Sequence, residues 1–469
     1  MKNNTLLTDG PIAKAIASIA IPMLIMMLTA VCFSWLDAWY IAKLGETELT
    51  AIDIAFPLIT FSSSIIYGGL GTGVSAAIAA YSSAKKDLHT AAGLRYGMII
   101  ALITSALISL AIIFFGEALL QRQLSGKPEV ILLANQYCFW YYLFFPLMGI
   151  GAVLASAMRG TGNAVRPMIY SLIAMFVNAV LTPLLSYESS GHWYSELFLD
   201  MGIKGAALST VASYSLMTLL LAFDFIHERQ GLKKNTQTLP VTEQQKVLKR
   251  ILYTSSIAAL VPACTNFTIG ISQALLASRG PEILDAYSLS KRFEQFLIML
   301  AIPLCAANMI IISANLGKKN YSRIKQSFIF SSKIMLGLSS LAALFMFFQS
   351  SAWFSSFSQN ELIHSEGHKY FQFAALHIIL LPLCIMLNFA FQGLSQAAKP
   401  LPYTLGSVFL FQALGCYLLI SNNKSTESFY LSLSLGTSLA FIFCLRKFFH
   451  SLQYLETKKA ETLTSLDQN

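Results

Sequence analysis

The chain has 469 residues, of which 55% are hydrophobic and only 12% charged, and its mean hydropathy is +0.60. A soluble domain carries about 25% charged residues, so these values exclude a soluble enzyme, a disordered chain and a nucleic-acid-binding module. The net charge of +9 does not reverse that, because the basic residues recur in short polar stretches between apolar runs, as expected of cytoplasmic loops under the positive-inside rule.

In chain order, twelve segments are apolar enough to cross a bilayer, which takes about 20 residues. They are 15–41, 50–81, 92–116, 130–156, 166–186, 203–225, 251–278, 284–315, 327–350, 369–394, 401–421 and 428–449. Lys14 precedes the first, and no small-x-small cleavage site accompanies it, so the segment reads as an uncleaved span and not as a signal peptide. The stretch 187–200, between the fifth and sixth spans, is acidic and aromatic and suits a membrane interface. The longest polar connection, 227–250, is basic and falls after the sixth span. It divides the chain into an N-lobe (1–226), a cytoplasmic linker (227–250), a C-lobe (251–450) and a cytoplasmic tail (451–469). An even number of spans puts both termini on one side, and assigning that side to the cytoplasm places most of the 32 Lys and Arg residues inside. The expected location is the inner cell membrane.

The seven cysteines (Cys32, Cys138, Cys264, Cys305, Cys384, Cys416, Cys444) all lie in apolar segments without a C-x-x-C pair. They read as small buried side chains.

The two halves carry a weak internal repeat. At a shift of 233 residues, A-M-R-G-T-G-N-A-V-R-P (157–167) falls on A-F-Q-G-L-S-Q-A-A-K-P (390–400). Ala157, Gly160, Ala164 and Pro167 then match Ala390, Gly393, Ala397 and Pro400, and Arg166 matches Lys399. At a shift of 235, Gly45 falls on Gly280 and Ala51 on Ala286. Six crossings return the chain to the same side, so the halves are expected to be parallel repeats about an axis along the membrane normal. The expected fold is all-α: a polytopic membrane protein with twelve transmembrane helices in two six-helix bundles related by a pseudo-twofold.

Several motifs point one way. They are L-T-D-G-P-I-A-K-A-I-A-S-I-A-I-P (7–22), W-L-D-A-W-Y-I-A-K-L-G (35–45), G-L-G-T-G-V-S-A-A-I-A (69–79), R-G-T-G-N-A-V-R-P-M (159–168), F-V-N (176–178), M-G-I-K-G-A-A-L-S-T (201–210), R-F-E-Q-F-L-I-M-L-A-I-P (292–303) and N-L-G-K-K-N-Y (315–321). In their order and spacing they resemble the multidrug and toxin extrusion (MATE) family of secondary transporters across nearly the whole chain. The resemblance implies two six-helix lobes and export of amphipathic, often cationic, organic compounds in exchange for protons or sodium, with no enzymatic step and no cofactor. The implied partners are small organic cargo and membrane lipid, and the expected state is a monomer that binds no nucleic acid.

An ionisable residue inside a span is costly and is a functional-site hypothesis by default. Asp37 is the first such residue, although its place at the end of the first span beside Trp39 and Tyr40 also suits an interfacial acid. The resemblance matches it to the family's first-helix aspartate and so to proton coupling. Desolvation favours the neutral form of a carboxyl, and protonation removes a charge that a cationic substrate could use, so proton and cargo would compete. Asn178 matches the family's N-lobe asparagine. Four residues on, one helical turn along the same face, one branch carries a second acid where this chain has Thr182. That departure puts a two-carboxylate relay in doubt. Tyr137 and Thr210 complete the implied cavity set. For Asn178, Tyr137 and Thr210 an ordinary helix–helix contact is the competing reading.

Another branch binds sodium on acids of helices 7 and 10. Span 251–278 has no acid, and between Lys369 and Gln392 there is His377 but no Asp or Glu. A hard cation needs oxygen ligands, so proton coupling is favoured and sodium coupling is the alternative. Glu294, near Lys291 and Arg292, reads as a local ion pair or as a cavity residue. Asp53 reads as an acid at the start of the second span, and His377 as a lone hydrogen-bonded core histidine. Glu361, His364 and His368 share one face, but no metal site is expected. No G-x-x-x-x-G-K-[ST] and no H-E-x-x-H occurs, so nothing supports ATP-driven transport or a metalloprotease. A flippase for a lipid-linked precursor remains an alternative, although it calls for mid-span Arg and Lys that are scarce here. A non-transporting receptor or scaffold is the other.

Overall fold

The computed structural model describes residues 3–123, 128–187, 199–230, 239–421 and 425–467. The interfacial stretch at 188–198 and the centre of the linker at 231–238 lie outside the described residues. Among the described residues every regular element is helical. Lipid forces that choice, because a chain with no water around it must satisfy its backbone groups within each segment.

A short helix α1 (Asn3–Asp9) precedes the first span, α2 (Ile12–Ala42). The second span is α3 (Glu46–Ser63), a π-helical turn at Ser64–Leu70 and α4 (Gly71–Ser83). Then follow α5 (Asp87–Gln123), the pair α6 (Pro128–Leu143) and α7 (Phe145–Gly160), α8 (Val165–Ser186) and α9 (Ile203–Gln230). The second half has α10 (Val241–Ala277), α11 (Pro281–Gly317), α12 (Tyr321–Ser355), the pair α13 (Glu361–Phe373) and α14 (Ala375–Gly393), then α15 (Leu401–Ser407), a second π-helical turn at Val408–Leu414, α16 (Gly415–Ser421) and α17 (Thr426–Asp467). Among the described residues eleven helices are long and apolar enough to cross a membrane, and α6 with α7, bent by 52°, makes a twelfth when the pair is counted as one span. The protein is a multi-pass helical membrane protein.

The structure departs from the sequence expectation in three places. The fourth and tenth spans are each two helices, with breaks at Phe144 (φ −105°, ψ 0°) and Ala374 (φ −94°, ψ 10°). At the first break Pro146 supplies no backbone N–H, and such a residue is accommodated in the opening turn of a new helix. Much of the stretch 227–250 is helical, since α9 runs to Gln230 and α10 starts at Val241. Asp53 does not open its helix. Glu46 and Glu48 occupy the first turn of α3, and Asp53 is exposed further along.

The chain packs as two compact units. The first holds Ile21–Ser255; the second holds Lys2–Ala20 with Ser256–Asn469. In the first, one apolar cluster gathers Ala51, Tyr137, Tyr141, Tyr142, Phe145 and Ala206 from α3, α6, α7 and α9. Another joins Val74 and Ile78 of α4 to Val153 of α7 and to Val247 and Ile251 of α10. Gly205 lets α9 approach the end of α8 closely, because a Cβ there would lie 2.5 Å from the Leu185 carbonyl. In the second unit, Tyr287, Phe293, Tyr370, Phe371, Phe429 and Tyr430 form the main cluster.

Helix α1 is clasped inside the second unit. Arg323 donates to the carbonyl oxygens of Leu7 at 3.2 Å and Leu6 at 3.4 Å and to that of Gly10. Asn315 donates to Leu7 O at 3.1 Å, and Lys318 pairs with Asp9 at 2.9 Å. The Lys318 ammonium and the Thr8 hydroxyl hold the Asp9 carboxyl below the ordinary carboxylate range. The pair is therefore intact at neutral pH and is lost only as the pH falls through that lowered value. Arg323→Ala removes three donated bonds, and hydrogen–deuterium exchange over residues 3–10 is expected to accelerate by about tenfold while the core of α11 keeps its protection.

Candidate functional site

The polar centre of the first unit is built on Asp37. Thr210 Oγ1, from α9, donates to Asp37 Oδ2 at 3.0 Å, and Thr182 Oγ1, from α8, donates to Oδ1 at 3.4 Å. Asn178, one turn before Thr182, approaches the same carboxylate. Ser209 Oγ joins the two helices, lying 2.7 Å from Thr182 Oγ1 and accepting from Asn178 Nδ2 at 3.4 Å. Asn178, Thr182, Ser209 and Thr210 are buried, while Asp37 keeps part of its surface accessible. The close approach of α8 and α9 at Gly205 sits one turn before Ser209 and sets this geometry.

Tyr137 is buried beside Asp37 and Thr210 and stacks on Tyr141, with ring centroids 6.2 Å apart and an interplanar angle of 15°. Tyr214 of α9 faces Asp37 from another side and packs on Phe33 at 5.2 Å. The structure thus gathers the five residues singled out from the sequence, Asp37, Tyr137, Asn178, Thr182 and Thr210, in one place. It adds Ser209 and Tyr214, which the sequence reading passed over. Ser209 adjoins Thr210 in the L-S-T triplet, and that pairing of hydroxyls was the available signal. Thr182, which stands where a second acid was considered, supplies a hydrogen bond and no charge. Both oxygens of the carboxyl accept from hydroxyls, while part of the residue's surface stays accessible.

A second polar cluster lies in the second unit. Glu294 of α11, 4% exposed, pairs with Lys291 at 2.7 Å and accepts from the Tyr370 hydroxyl of α13. His377 Nε2 of α14 stands 3.5 Å from the same carboxylate, and its Nδ1 lies 2.5 Å from Thr437 Oγ1 of α17. His377 is the buried, hydrogen-bonded core histidine expected from the sequence, but it is not alone. It and Glu294 belong to one buried network, because α11 and α14 pack against each other. His364 and His368 bond to Ser358 O and Ser350 Oγ at 2.8 Å each. Among the described residues no three His, Cys, Asp or Glu side chains converge as a metal site would require. Five of the seven cysteines are buried, Cys264 is partly so, and Cys32 is exposed.

The chain is similar to a FAD transporter of Shewanella oneidensis, with 26% identity over 389 residues and 81% of each chain covered. It is also similar to the multidrug export protein MepA of Staphylococcus aureus, with 23% identity over 314 residues and 65% of each chain covered. Its fold superposes on a crystal structure of a MATE transporter in a bent conformation with a TM-score of 0.85 at 21% identity, covering 98% of this chain and 99% of that one. The MatE family profile matches twice, over residues 22–184 and 257–418, so that the matches start 235 residues apart, at one of the spacings of the chain's own repeat. With both halves matched and nearly the full length sharing the fold, the chain belongs to the MATE family of membrane transporters.

Proposed function

We propose that the protein is a secondary antiporter that exports amphipathic, cationic organic compounds in exchange for protons by alternating access, from an inner cell membrane with both termini in the cytoplasm. The observation that carries this reading is the partly accessible Asp37, its carboxyl held by Thr210 and Thr182 beside the buried Tyr137. A proton entering from outside neutralises the carboxyl and releases cationic cargo. Loss of that proton to the inside restores a charge that binds the next cargo molecule. The wall beside it suits organic cations, because aromatic faces attract positive charge.

Proton coupling is favoured over sodium coupling by the donor set. Helix α10 carries no acid within the span 251–278, and α14 carries none. The buried acid of the second unit, Glu294, is already engaged by Lys291 and Tyr370. A hard cation needs several free oxygens. A relative named for FAD transport and another named for multidrug export both keep small organic molecules as the cargo class, and a flavin belongs in the test panel beside cationic dyes.

The test is transport by the purified chain in proteoliposomes, with proton and sodium gradients imposed separately. An imposed proton gradient is expected to drive dye movement at least about tenfold above protein-free vesicles, and a sodium gradient at constant pH is expected to drive none. Transport driven by sodium alone would replace the proton in this scheme. Translocation of a lipid-linked precursor with no dye movement would favour a flippase.

A further inference from the structure

Helix α2 carries Asp37 with little backbone packing to hold it. Among the described residues of the first unit, no helix packs backbone to backbone along α2 in the way that α8 and α9 pack on each other. Trp35 and Trp39, on either side of Asp37 in sequence, are exposed. The place of Asp37 against α8 and α9 therefore rests on individual side-chain contacts. Its own bonds to Thr182 and Thr210 are two of them, and the packing of Phe33 on Tyr214 is a third.

Tyr40, one turn beyond Asp37 on the same face, makes a further tie. Its hydroxyl donates to the carbonyl oxygen of Ala179 in α8 at 3.0 Å. Tyr187, just past the end of α8, donates in return to the Tyr40 carbonyl oxygen at 2.9 Å, and the two rings meet edge to face at 6.1 Å. That carbonyl lies in the last turn of α2, where the regular helical donors run out. The sequence also explains why Ala179 O is free to accept. Its helical donor would be residue 183, four positions on, and that residue is Pro183, which has no backbone N–H. Ala179 adjoins Asn178 and lies three residues before Thr182, so Tyr40 is fastened beside the groups that hold Asp37.

The two kinds of tie differ chemically. The bonds to Asp37 change when the carboxyl takes a proton, because one of its acceptor oxygens then becomes a donor. The Tyr40 bond joins a hydroxyl to an amide carbonyl and does not depend on that proton. We propose that Tyr40 is a positioning residue whose bond to Ala179 O holds Asp37 against Thr182 and Thr210 and so sets the affinity for cationic cargo. A carboxyl held in place before cargo arrives loses no affinity to ordering the end of α2. The inference rests on the reading of Asp37 as the cargo-binding carboxyl. An aromatic ring at a membrane interface needs no such role, and the hydroxyl is what separates the two accounts.

Tyr40→Phe keeps the ring and its contact with Tyr187 and deletes only that hydroxyl. In proteoliposomes with an imposed proton gradient, the variant is expected to raise the KM for ethidium about fivefold, the weight of one net hydrogen bond, with kcat within about twofold of wild type. A merely structural role would lower kcat through loss of folded protein and leave KM unchanged. Ethidium binding to the purified chain in detergent, read by fluorescence, is expected to weaken by the same factor. In an Asp37→Asn background Tyr40→Phe is expected to cause no further weakening, since it acts through the carboxyl. Pro183→Ala returns an N–H to Ala179 O and is expected to weaken binding in the same direction; it decides the matter if Tyr40→Phe does not fold. Unchanged KM and affinity, a fall in kcat alone, an equal loss with and without the Asp37 carboxyl, or no ethidium binding by the wild-type chain would overturn the proposal. Binding that depends on Tyr40 without proton-driven export sinks only the antiport reading, and export that Tyr40→Phe leaves unchanged sinks only the role of Tyr40.

Discussion

Asp37→Asn is expected to reduce dye efflux driven by a pH gradient to the level of vesicles without protein, a loss of at least about tenfold, while the protein still inserts and melts as the wild type does. The substitution keeps the size of the side chain and one oxygen that can accept from Thr210 at the 3.0 Å position. It removes only the ability to gain and release a proton and to present a negative charge. Because Ser209, Thr182 and Asn178 bond among themselves, the α8–α9 contact does not depend on the charge of Asp37. Loss of transport with unchanged melting would therefore trace to chemistry and not to unfolding. Efflux that survives the substitution at wild-type rate would remove Asp37 from the coupling scheme.

The largest effect on stability is expected from Lys291→Met. The substitution strips the Lys291 ammonium from a carboxylate that is 4% exposed and leaves Glu294 with the Tyr370 hydroxyl and His377. An unpaired buried charge costs roughly 3–5 kcal/mol, and a midpoint several degrees below wild type should follow in a thermal melt of the detergent-solubilised protein. The double variant Lys291→Met with Glu294→Gln should recover most of that loss, since no charge then remains to be compensated. A single variant as stable as wild type would mean that His377 takes over the charge. The pair would then contribute nothing that the network lacks without it.

The twelve crossings were legible because lipid penalises unsatisfied backbone so heavily that a spanning segment must be a long apolar helix. The bends were not legible. An apolar run reads the same whether straight or broken, and the breaks at Phe144 and Ala374 and the π-turns at 64–70 and 408–414 depend on packing against neighbours. Proline at 146 was the one local sign, and by itself it did not distinguish a kink from a helix start. The site divides in the same way. Asp37, Tyr137, Asn178, Thr182 and Thr210 lie as many as 173 positions apart, and no periodicity connects them; their grouping came from the family resemblance. Ser209 was passed over because hydroxyl side chains in spans are common and usually bond to their own helix, as Ser209 also does to Ala206 O at 2.9 Å. Glu294 and His377 were read separately, one as half of a local pair and the other as isolated, because nothing in a linear sequence shows that the eighth and tenth spans touch.

The clasp on α1 has a consequence for biosynthesis. Its anchors, Asn315, Lys318 and Arg323, follow their partners by 308 to 317 positions. At a ribosomal pace of about 5–20 residues per second, the leading segment emerges well over ten seconds before anything exists to receive it. During that interval it remains undocked on the nascent polypeptide, available to the insertion machinery or to a protease. A chain that stalls before the ninth crossing would keep its amino-terminal helix loose, and quality control could recognise that end as the mark of unfinished assembly.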